Sequence, residues 1–295
     1  MTTVRLLGIP MDSAGGPIGT TFMPRVLREA GVIQAIGAQD LGDLDVLIDP
    51  PVRDPETGIV GSDSVLNATR IIRESVARHV DPHATLVILG GCCTLAVGAV
   101  AGLRDTVGDI GVVYLDGHLD LYDGVNSPSG EAADMPLAVA LGLGPKAWGD
   151  AVGAPLIAPA DVSLIGFRDL EEARGFGSVT PEDLPGLTAL DTPHIREVGP
   201  AVAASQARAG VEADGRPFFV FVDLDILDES VFPNDAPVPD GLLWPELRDL
   251  LAPLVRDPAC LGLAVACYNP ERDPERVSAR HIVELLRDVV PIGPA

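Results

Sequence analysis

Short apolar runs rich in β-branched residues alternate along the chain with segments whose apolar positions recur at helical spacing. The pattern predicts strands at residues 4–9, 85–89, 110–114, 162–165, 218–222 and 261–266. It predicts helices at residues 24–32, 63–80 and 94–103, from residue 245 onward, and at residues 275–290. Strands this apolar are buried on both faces, and helical crossovers make neighbouring strands parallel. We therefore expect an α/β fold with three layers, α-β-α, around a mostly parallel central sheet.

The domain organisation follows from the length and from the evenness of the pattern. The chain has 295 residues, enough for one large domain with a sizeable core. No repeat, low-complexity tract or linker interrupts the alternation of elements. We expect a single domain over residues 1–295.

The net charge of −23 limits the partners that the protein can bind. Nucleic acids and anionic membranes are bound through basic surfaces, and this chain has 43 acidic residues against 20 Lys and Arg. The apolar runs are too short to span a bilayer, and the N-terminus does not resemble a signal peptide. We expect a cytoplasmic protein that binds a small molecule, neither nucleic acid nor a membrane.

Polar and thiol side chains follow the predicted strands. Residues 90–94 (GGCCT), residues 116–120 (DGHLD), residues 223–228 (DLDILD) and Cys267 each come directly after an apolar run. In parallel sheets, ligands bind beyond the carboxyl ends of the strands, so these groups are expected to meet at one edge. Within the motifs, alternate residues share a face if the segment is extended.

Four carboxylates and one imidazole gathered in this way need a compensating charge. Asp116, His118, Asp120, Asp223 and Asp225 form the expected group. Burying unpartnered carboxylates costs several kcal/mol each, and a pair of divalent cations removes that cost. An oxygen-rich site with one imidazole suits Mn²⁺ or a similar ion. Each motif alone is also compatible with a turn or an Asp cap, and only their joint placement favours a metal site.

At this point the sequence resembles the ureohydrolase superfamily of arginases and agmatinases. Residues 116–120 match its D-A-H-x-D motif, residues 223–228 match D-x-D-x-x-D, and residues 90–94 stand where the family has G-G-D-H-S. Residues 129–136 match S-G-x-x-H-G-x-P in part, and residues 237–242 are similar to T-P-x-x-G-G-L. The resemblance covers nearly the whole chain and implies an arginase-like fold, a trimeric or hexameric homo-oligomer, and two divalent ions, with manganese expected.

The resemblance also implies roles for individual residues. The metal ligands would be Cys93, Asp116, His118, Asp120, Asp223 and Asp225. Two such ions would hold a hydroxide that attacks a planar carbon, and Asp120 would pass a proton to the leaving amine. His118 would share the catalytic role as a ligand beside the hydroxide. Substrate would be contacted by Ser129, Glu131, Asp169, Glu171 and Cys267.

Three departures from the family pattern bear on the substrate and the metal. Cys93 replaces a histidine ligand, as in the branch of Nω-hydroxy-L-arginine amidinohydrolases, and a thiolate could shift the preference to zinc, nickel or iron. Cys267 stands where a glutamate pairs with the guanidinium of the substrate. Ala133 replaces a histidine, and Glu131 stands where arginases carry an amide that binds the substrate's α-carboxylate.

The sequence thus leaves three hypotheses open. The first is a metal-dependent hydrolase of a linear C–N bond in an amidine, a guanidino compound or a related amide. The second is a catalytically inactive relative that keeps the fold as a binding or regulatory protein, which the loss of the glutamate and the histidine would explain. The third is thiol chemistry with Cys93 as nucleophile and His118 as base, although neighbouring carboxylates would raise the pKa of that thiol.

Overall fold

A central parallel sheet organises the protein. The computed structural model describes residues 3–212 and 215–291. Within these residues one sheet has eight strands in the order β2-β1-β3-β8-β7-β4-β5-β6, and every neighbouring pair is parallel. The strands are β1 (Thr3–Ile9), β2 (Gln39–Asp43), β3 (Ala84–Gly90), β4 (Gly111–Leu115), β5 (Val162–Ile165), β6 (Thr188–Leu190), β7 (Phe218–Asp223) and β8 (Cys260–Ala266).

Helices cover both faces of the sheet, which confirms the predicted three-layer architecture. The helices are α1 (Met23–Glu29), α2 (Val32–Ile36), α3 (Ser62–His79), α4 (Leu95–Val107), α5 (Pro136–Leu141), α6 (Lys146–Val152), α7 (Leu170–Gly175), α8 (Thr192–Val198), α9 (Pro200–Gly210), α10 (Trp244–Val255) and α11 (Val277–Val289). Helices α3 to α7 pack on one face and helices α1, α2 and α8 to α11 on the other, each with its own apolar core.

Two predicted helices differ in detail from those observed. The helix predicted at residues 24–32 is two helices, because Gly31 adopts a φ of 91° between α1 and α2. Helix α3 begins at Ser62 behind Gly61, whose φ is 62°, one residue before the predicted start. Asp63 therefore lies in the first turn, where its carboxylate complements the helix dipole.

The strand order places four loops side by side. Strands β3, β8, β7 and β4 are consecutive neighbours in the middle of the sheet. Their carboxyl ends carry Cys93, Cys267, Asp223 and Asp116, respectively. The carboxyl ends of these four central strands therefore bring together thiols and carboxylates that are spread over 175 positions of the sequence. No helix in the described part of the chain is both long enough and apolar enough to cross a membrane.

Candidate metal centre

A cavity of about 430 Å³ opens at the carboxyl edge of these four central strands. Its floor is formed by the side chains that end the strands, and its mouth is formed by loops from residues 12–20, 129–134 and 234–236. The side chains that line its floor are Cys92, Cys93, His118, Asp120, Asp223, Asp225 and Cys267. The cavity thus contains most of the residues that the sequence assigns to metal binding.

One candidate metal-binding cluster consists of Asp116, His118 and Asp225. One ligand atom of each lies within 4.8 Å of the other two. His118 Nδ1 is 2.9 Å from Asp225 Oδ2 and 3.6 Å from Asp116 Oδ1. Both carboxylates are buried and the histidine is partly exposed to the cavity. The three side chains therefore offer two oxygens and one nitrogen to a single point.

Backbone amides hold these carboxylates in place. The amide of His118 donates to Asp116 Oδ1 at 2.8 Å, and the amide of Gly117 donates to Asp225 Oδ1 at 3.0 Å. The amide of Asp225 in turn donates to Asp223 Oδ1 at 2.9 Å, which turns residues 224–226 into one turn of 3₁₀ helix. The fixed donors occupy one oxygen of each carboxylate and leave the other for a ligand.

One buried carboxylate oxygen, Oδ2 of Asp116, indicates whether a cation fits this cluster. Asp116 Oδ2 is buried and, among residues 3–212 and 215–291, receives no hydrogen bond. Burial, with the charges of Asp120 and Asp225, raises the pKa of Asp116 well above its usual range. An unpartnered buried carboxylate oxygen costs free energy that a bound cation recovers. The donor set therefore fits a divalent ion.

The charges of the cluster are strongly interdependent. Burial alone would lower the pKa of His118, but the carboxylates of Asp225 and Asp116 outweigh it and raise that pKa well above its usual range. Burial alone would raise the pKa of Asp225, but His118 outweighs it and lowers that pKa. Without metal the imidazolium therefore serves as the counter-charge, and a metal ion must displace its proton.

A second cluster consists of Cys93, Asp223 and Cys267. Again one ligand atom of each lies within 4.8 Å of the other two. Cys93 and Asp223 are buried, and Cys267 is partly exposed. The thiol of Cys93 also donates to the carbonyl of Ala133 at 3.2 Å. The sequence assigned Cys93 and Asp223 to the metals but Cys267 to the substrate, so the structure adds a second sulfur beside the first.

Asp120 belongs to neither cluster. It lines the cavity, and its Oδ2 accepts a 2.6 Å hydrogen bond from the Tyr114 hydroxyl. Burial raises the pKa of Asp120 to about 7, against the lowering effect of that hydrogen bond. Its φ of 52° and the φ of 65° at Cys267 place both residues in the left-handed region, which costs about 1 kcal/mol for a residue with a side chain. Of the four non-glycine residues with a positive φ in the described part of the chain, these two line the cavity.

The predicted substrate-contacting residues divide into two groups. Ser129, Glu131 and Cys267 line the cavity. Asp169 is buried but does not line it, and Glu171 is on the surface, where it pairs with Arg174 at 2.6 Å. The structure therefore brings three of the five into one space and directs Glu171 to solvent.

Several residues of the cavity were not found from the sequence. Asp12, Tyr122, Asp235 and Glu271 line its mouth. Asp12 follows β1 directly, so the rule that ligands gather after parallel strands would have found it. The others lie on loops whose positions depend on tertiary contacts. With Glu131 and Asp134, these carboxylates make the mouth acidic.

Arg168 is a structural clamp beside the centre. Its guanidinium donates to the carbonyls of Asp225 at 2.8 Å, Ile226 at 3.0 Å and Gly166 at 3.1 Å, and to Val238 at 3.1 Å. Burial lowers its pKa, although four carboxylates, including Asp225, oppose that effect. The side chain therefore fixes the turn that carries Asp225, and it does not line the cavity.

Comparisons with known proteins bear on the family and the fold of the chain. The sequence model of the arginase family matches residues 2–290. An arginase from Brevibacillus brevis is 29% identical over 291 residues, which cover 96% of each chain. The crystal structure of an arginase from Bacillus subtilis has a TM-score of 0.84 at 26% identity and covers 100% of this chain and 99% of that one.

A solved structure with lower sequence identity shares the fold and is that of a different enzyme. The formimidoylglutamase of Bacillus subtilis has a TM-score of 0.74 at 18% identity, covering 98% of this chain and 86% of that one. This likeness concerns the fold alone. The same architecture therefore carries more than one activity among known proteins, and the substrate must be argued from the side chains.

Proposed function

Because this chain belongs to the arginase family, we propose that it is a metal-dependent hydrolase of a linear, non-peptide C–N bond. The substrate class is an amidine, a guanidino compound or a related amide. The observation that carries the proposal is the convergence of Asp116, His118 and Asp225 around one point, with a buried oxygen on Asp116 that has no hydrogen-bond partner among the described residues. Such a donor set has an evident purpose only when a cation binds.

Six residues could hold two divalent ions; five of them line the cavity, and the sixth, Asp116, clusters with His118 and Asp225. We propose that they are Cys93, Asp116, His118, Asp120, Asp223 and Asp225. When bound, the ions would lower the pKa of a water molecule and polarise the carbon that it attacks. Family membership favours manganese, whereas the sulfur of Cys93 keeps zinc, nickel and iron as alternatives.

Asp120 is suited to move a proton. Without metal, burial raises the pKa of its carboxyl to about 7, and bound cations would lower it. Tyr114 fixes the carboxylate through Oδ2, and the side chain faces the cavity. We therefore propose that Asp120 transfers a proton to the nitrogen that leaves.

The acidic mouth of the cavity favours a cationic substrate. Asp12, Glu131, Asp235 and Glu271 line it, and in the described part of the chain only Asp235 is offset by an arginine, Arg272. Glu131 would repel an α-carboxylate, which argues against an amino acid bound in the manner of arginine in arginase. A linear substrate with a guanidino or amidine group at one end and an amine at the other fits these charges best.

The hypothesis of thiol catalysis is weaker than hydrolysis by metal. A hydrogen bond with Cys267 and burial raise the pKa of Cys93 well above its usual range. Because the thiolate is the nucleophile, a thiol that stays protonated at neutral pH reacts slowly. The inactive relative stays an alternative, since Cys267 and Ala133 replace family residues that act on the substrate.

The experiment is metal analysis combined with a substrate screen. Protein purified without chelator is assayed for metal content, and release of ammonia or urea is measured with Mn²⁺, Zn²⁺, Ni²⁺ and Fe²⁺. The candidates are L-arginine, Nω-hydroxy-L-arginine, an amine-terminated alkylguanidine and a formimidoyl compound. We expect Asp225→Asn to abolish turnover and lower metal content, and the exposed control Asp249→Asn to change neither. Metal binding without release from any candidate would favour the inactive binding protein, and full activity of metal-free protein would refute the proposal.

Family membership also supports a homo-oligomer, trimeric or hexameric, in the cytoplasm. We propose this assembly on resemblance alone. Sedimentation velocity of the metal-loaded protein tests it, and a monomer at micromolar concentration would contradict it.

A further inference from the structure

The cluster of Cys93, Asp223 and Cys267 has a composition different from that of its neighbour. It offers two sulfurs and one oxygen, whereas Asp116, His118 and Asp225 offer two oxygens and one nitrogen. The two clusters face the same cavity, since His118, Asp225 and all three members of the thiol cluster line it. The centre is therefore chemically asymmetric.

We propose that Cys267 is a metal ligand, so that Cys93, Asp223 and Cys267 form a sulfur-rich half-site that prefers Zn²⁺ to Mn²⁺. The inference deepens the proposed function and rests on it for the presence of a two-ion centre. It moves Cys267 from the substrate to the metal. The neighbouring cluster, with its oxygens and imidazole, then holds the harder ion of the pair.

The spacing of the three ligand atoms carries the proposal. Ligands about 2.3 Å from one tetrahedral ion lie roughly 3.8 Å apart, and the three atoms here lie within 4.8 Å of one another. Only small side-chain shifts are needed to close them around an ion. Two sulfurs with one carboxylate leave a fourth position open toward the cavity, as in catalytic zinc sites with three protein ligands.

The backbone holds Cys267 in this position in an energetically unfavourable conformation. Its φ is 65°, and its amide donates to the carbonyl of Gly91 at 2.7 Å, which links the loop after β8 to the loop after β3. Residues with side chains adopt this conformation rarely, and it persists where the surroundings impose it. The same link brings the sulfur of Cys267 toward Cys93, two residues beyond Gly91.

Two other cysteines provide matched controls. Cys92 lines the cavity, but its thiol donates to Thr94 Oγ1 at 3.3 Å and belongs to neither cluster. Cys260 begins β8, at the opposite end of that strand from Cys267. A role specific to Cys93 and Cys267 predicts that Cys92→Ser and Cys260→Ser leave the metal site unchanged.

The experiment replaces the metal with cobalt and reads the sulfur ligands directly. Metal-free, reduced protein is titrated with Co²⁺, and the sulfur-to-cobalt charge-transfer absorption is measured per bound ion. We expect Cys93→Ser and Cys267→Ser each to lose about half of it and the double variant to lose all of it, with both controls unchanged. X-ray absorption of protein loaded with one Zn²⁺ per chain should give two sulfurs at about 2.3 Å, and one in each single variant.

Affinity gives an independent measurement. We expect Cys267→Ser to weaken Zn²⁺ binding more than about tenfold. Losses of about tenfold already follow when a group that only hydrogen-bonds to a metal ligand is removed. Cys267→Asp should reduce the preference for Zn²⁺ over Mn²⁺, since it replaces the thiolate sulfur with a hard carboxylate oxygen. A wild-type spectrum with one sulfur, or full charge-transfer absorption in Cys267→Ser, would overturn the inference. Neither measurement requires turnover. An inactive protein with two sulfur ligands would therefore refute the proposed function and leave the inference on Cys267 intact.

Discussion

The hydroxyl of Tyr114 donates a 2.6 Å hydrogen bond to Oδ2 of Asp120. This bond links the carboxyl end of strand β4 to the floor of the cavity. Both residues are buried, and the ring of Tyr114 stacks on Phe221 with centroids 4.5 Å apart. The bond lowers the pKa of Asp120, which burial raises to about 7. A tyrosine of the core thus adjusts the acidity of a carboxyl in the candidate site.

The first prediction concerns this hydrogen bond. Tyr114→Phe removes a donor to the ionised carboxylate, so the pKa of Asp120 should rise. Hydrogen bonds to charged groups contribute about 1.5–3 kcal/mol, which corresponds to roughly one to two pH units. Since ligands bind metal in their deprotonated form, the midpoint of Mn²⁺ uptake should move upward by about one unit. Calorimetric titrations between pH 5.5 and 8.5 measure it.

Tyr268→Phe is the matched control for that experiment. Its hydroxyl donates to Asp273 at 2.8 Å, outside both metal-binding clusters. The same chemical change there should lower stability without moving the midpoint. An unchanged midpoint in Tyr114→Phe would show that the hydrogen bond does not control metal binding.

The second prediction is the pH dependence of stability without metal. The pKa of Asp120 is raised to about 7 in the folded state, from 3.8. The folded state therefore binds more protons than the unfolded state between these values, and stability increases as the pH falls through this range. The raised pKa values of Asp116 and Asp223 act in the same direction. The slope approaches 1.4 kcal/mol per pH unit for each group.

Thermal unfolding in chelator between pH 7.5 and 5.5 tests this sign. The melting temperature should rise as the pH falls, and Asp120→Asn should flatten the curve. With saturating Mn²⁺ the trend should reverse, because protons then compete with the metal. A metal-free protein that loses stability steadily from pH 7.5 to 5.5 would contradict the prediction.

The sequence predicts much of the centre because its residues follow recognisable strands. The runs before Asp116 and Asp223 are apolar on both faces, so their carboxyl ends had to meet at one edge. The sequence also expects Cys267 and the loop of Cys93 at this edge, but it assigns Cys267 to the substrate. The direct approach of the two sulfurs depends on β8 inserting between β3 and β7, and no local pattern specifies the pairing of Leu86 in β3 with Gly262 in β8.

The missed strands show the same limit of local patterns. Strand β2 (Gln39–Asp43) is mostly exposed, and β6 (Thr188–Leu190) has three residues. Both lie at the edges of the sheet, where neither burial nor length leaves an apolar signal. The clamp formed by Arg168 was equally hidden, since its partners are backbone carbonyls that carry no sequence signature.

The third prediction concerns that clamp. Arg168→Met leaves the carbonyls of Asp225 and Ile226 without their donor, and we expect a loss of about 3 kcal/mol in the free energy of unfolding. Because the turn that carries Asp225 loosens, metal affinity at its cluster should fall as well. Denaturant unfolding and metal titration measure the two effects. Arg248→Met, on the exposed surface of α10, should change neither, and equal effects in both variants would refute the role.

The fourth prediction tests the charge of the cavity mouth. Glu131 accepts a 2.5 Å hydrogen bond from Ser13, and burial raises its pKa, but it lines the cavity beside other carboxylates. Glu131→Gln keeps the hydrogen-bond acceptor and removes the charge. An amine-terminated alkylguanidine should then bind about fivefold more weakly, the effect of losing roughly 1 kcal/mol of attraction.

The same variant should bind L-arginine better than the wild type does, because the repulsion of its α-carboxylate is relieved. Competition calorimetry with both compounds measures the two changes without requiring turnover. Glu74→Gln, exposed on α3, changes net charge by the same amount and should leave both affinities unaltered. If Glu131→Gln lowers the affinity for both ligands, the residue acts through the shape of the pocket. The proposed preference for a substrate with an amine at one end would then be refuted.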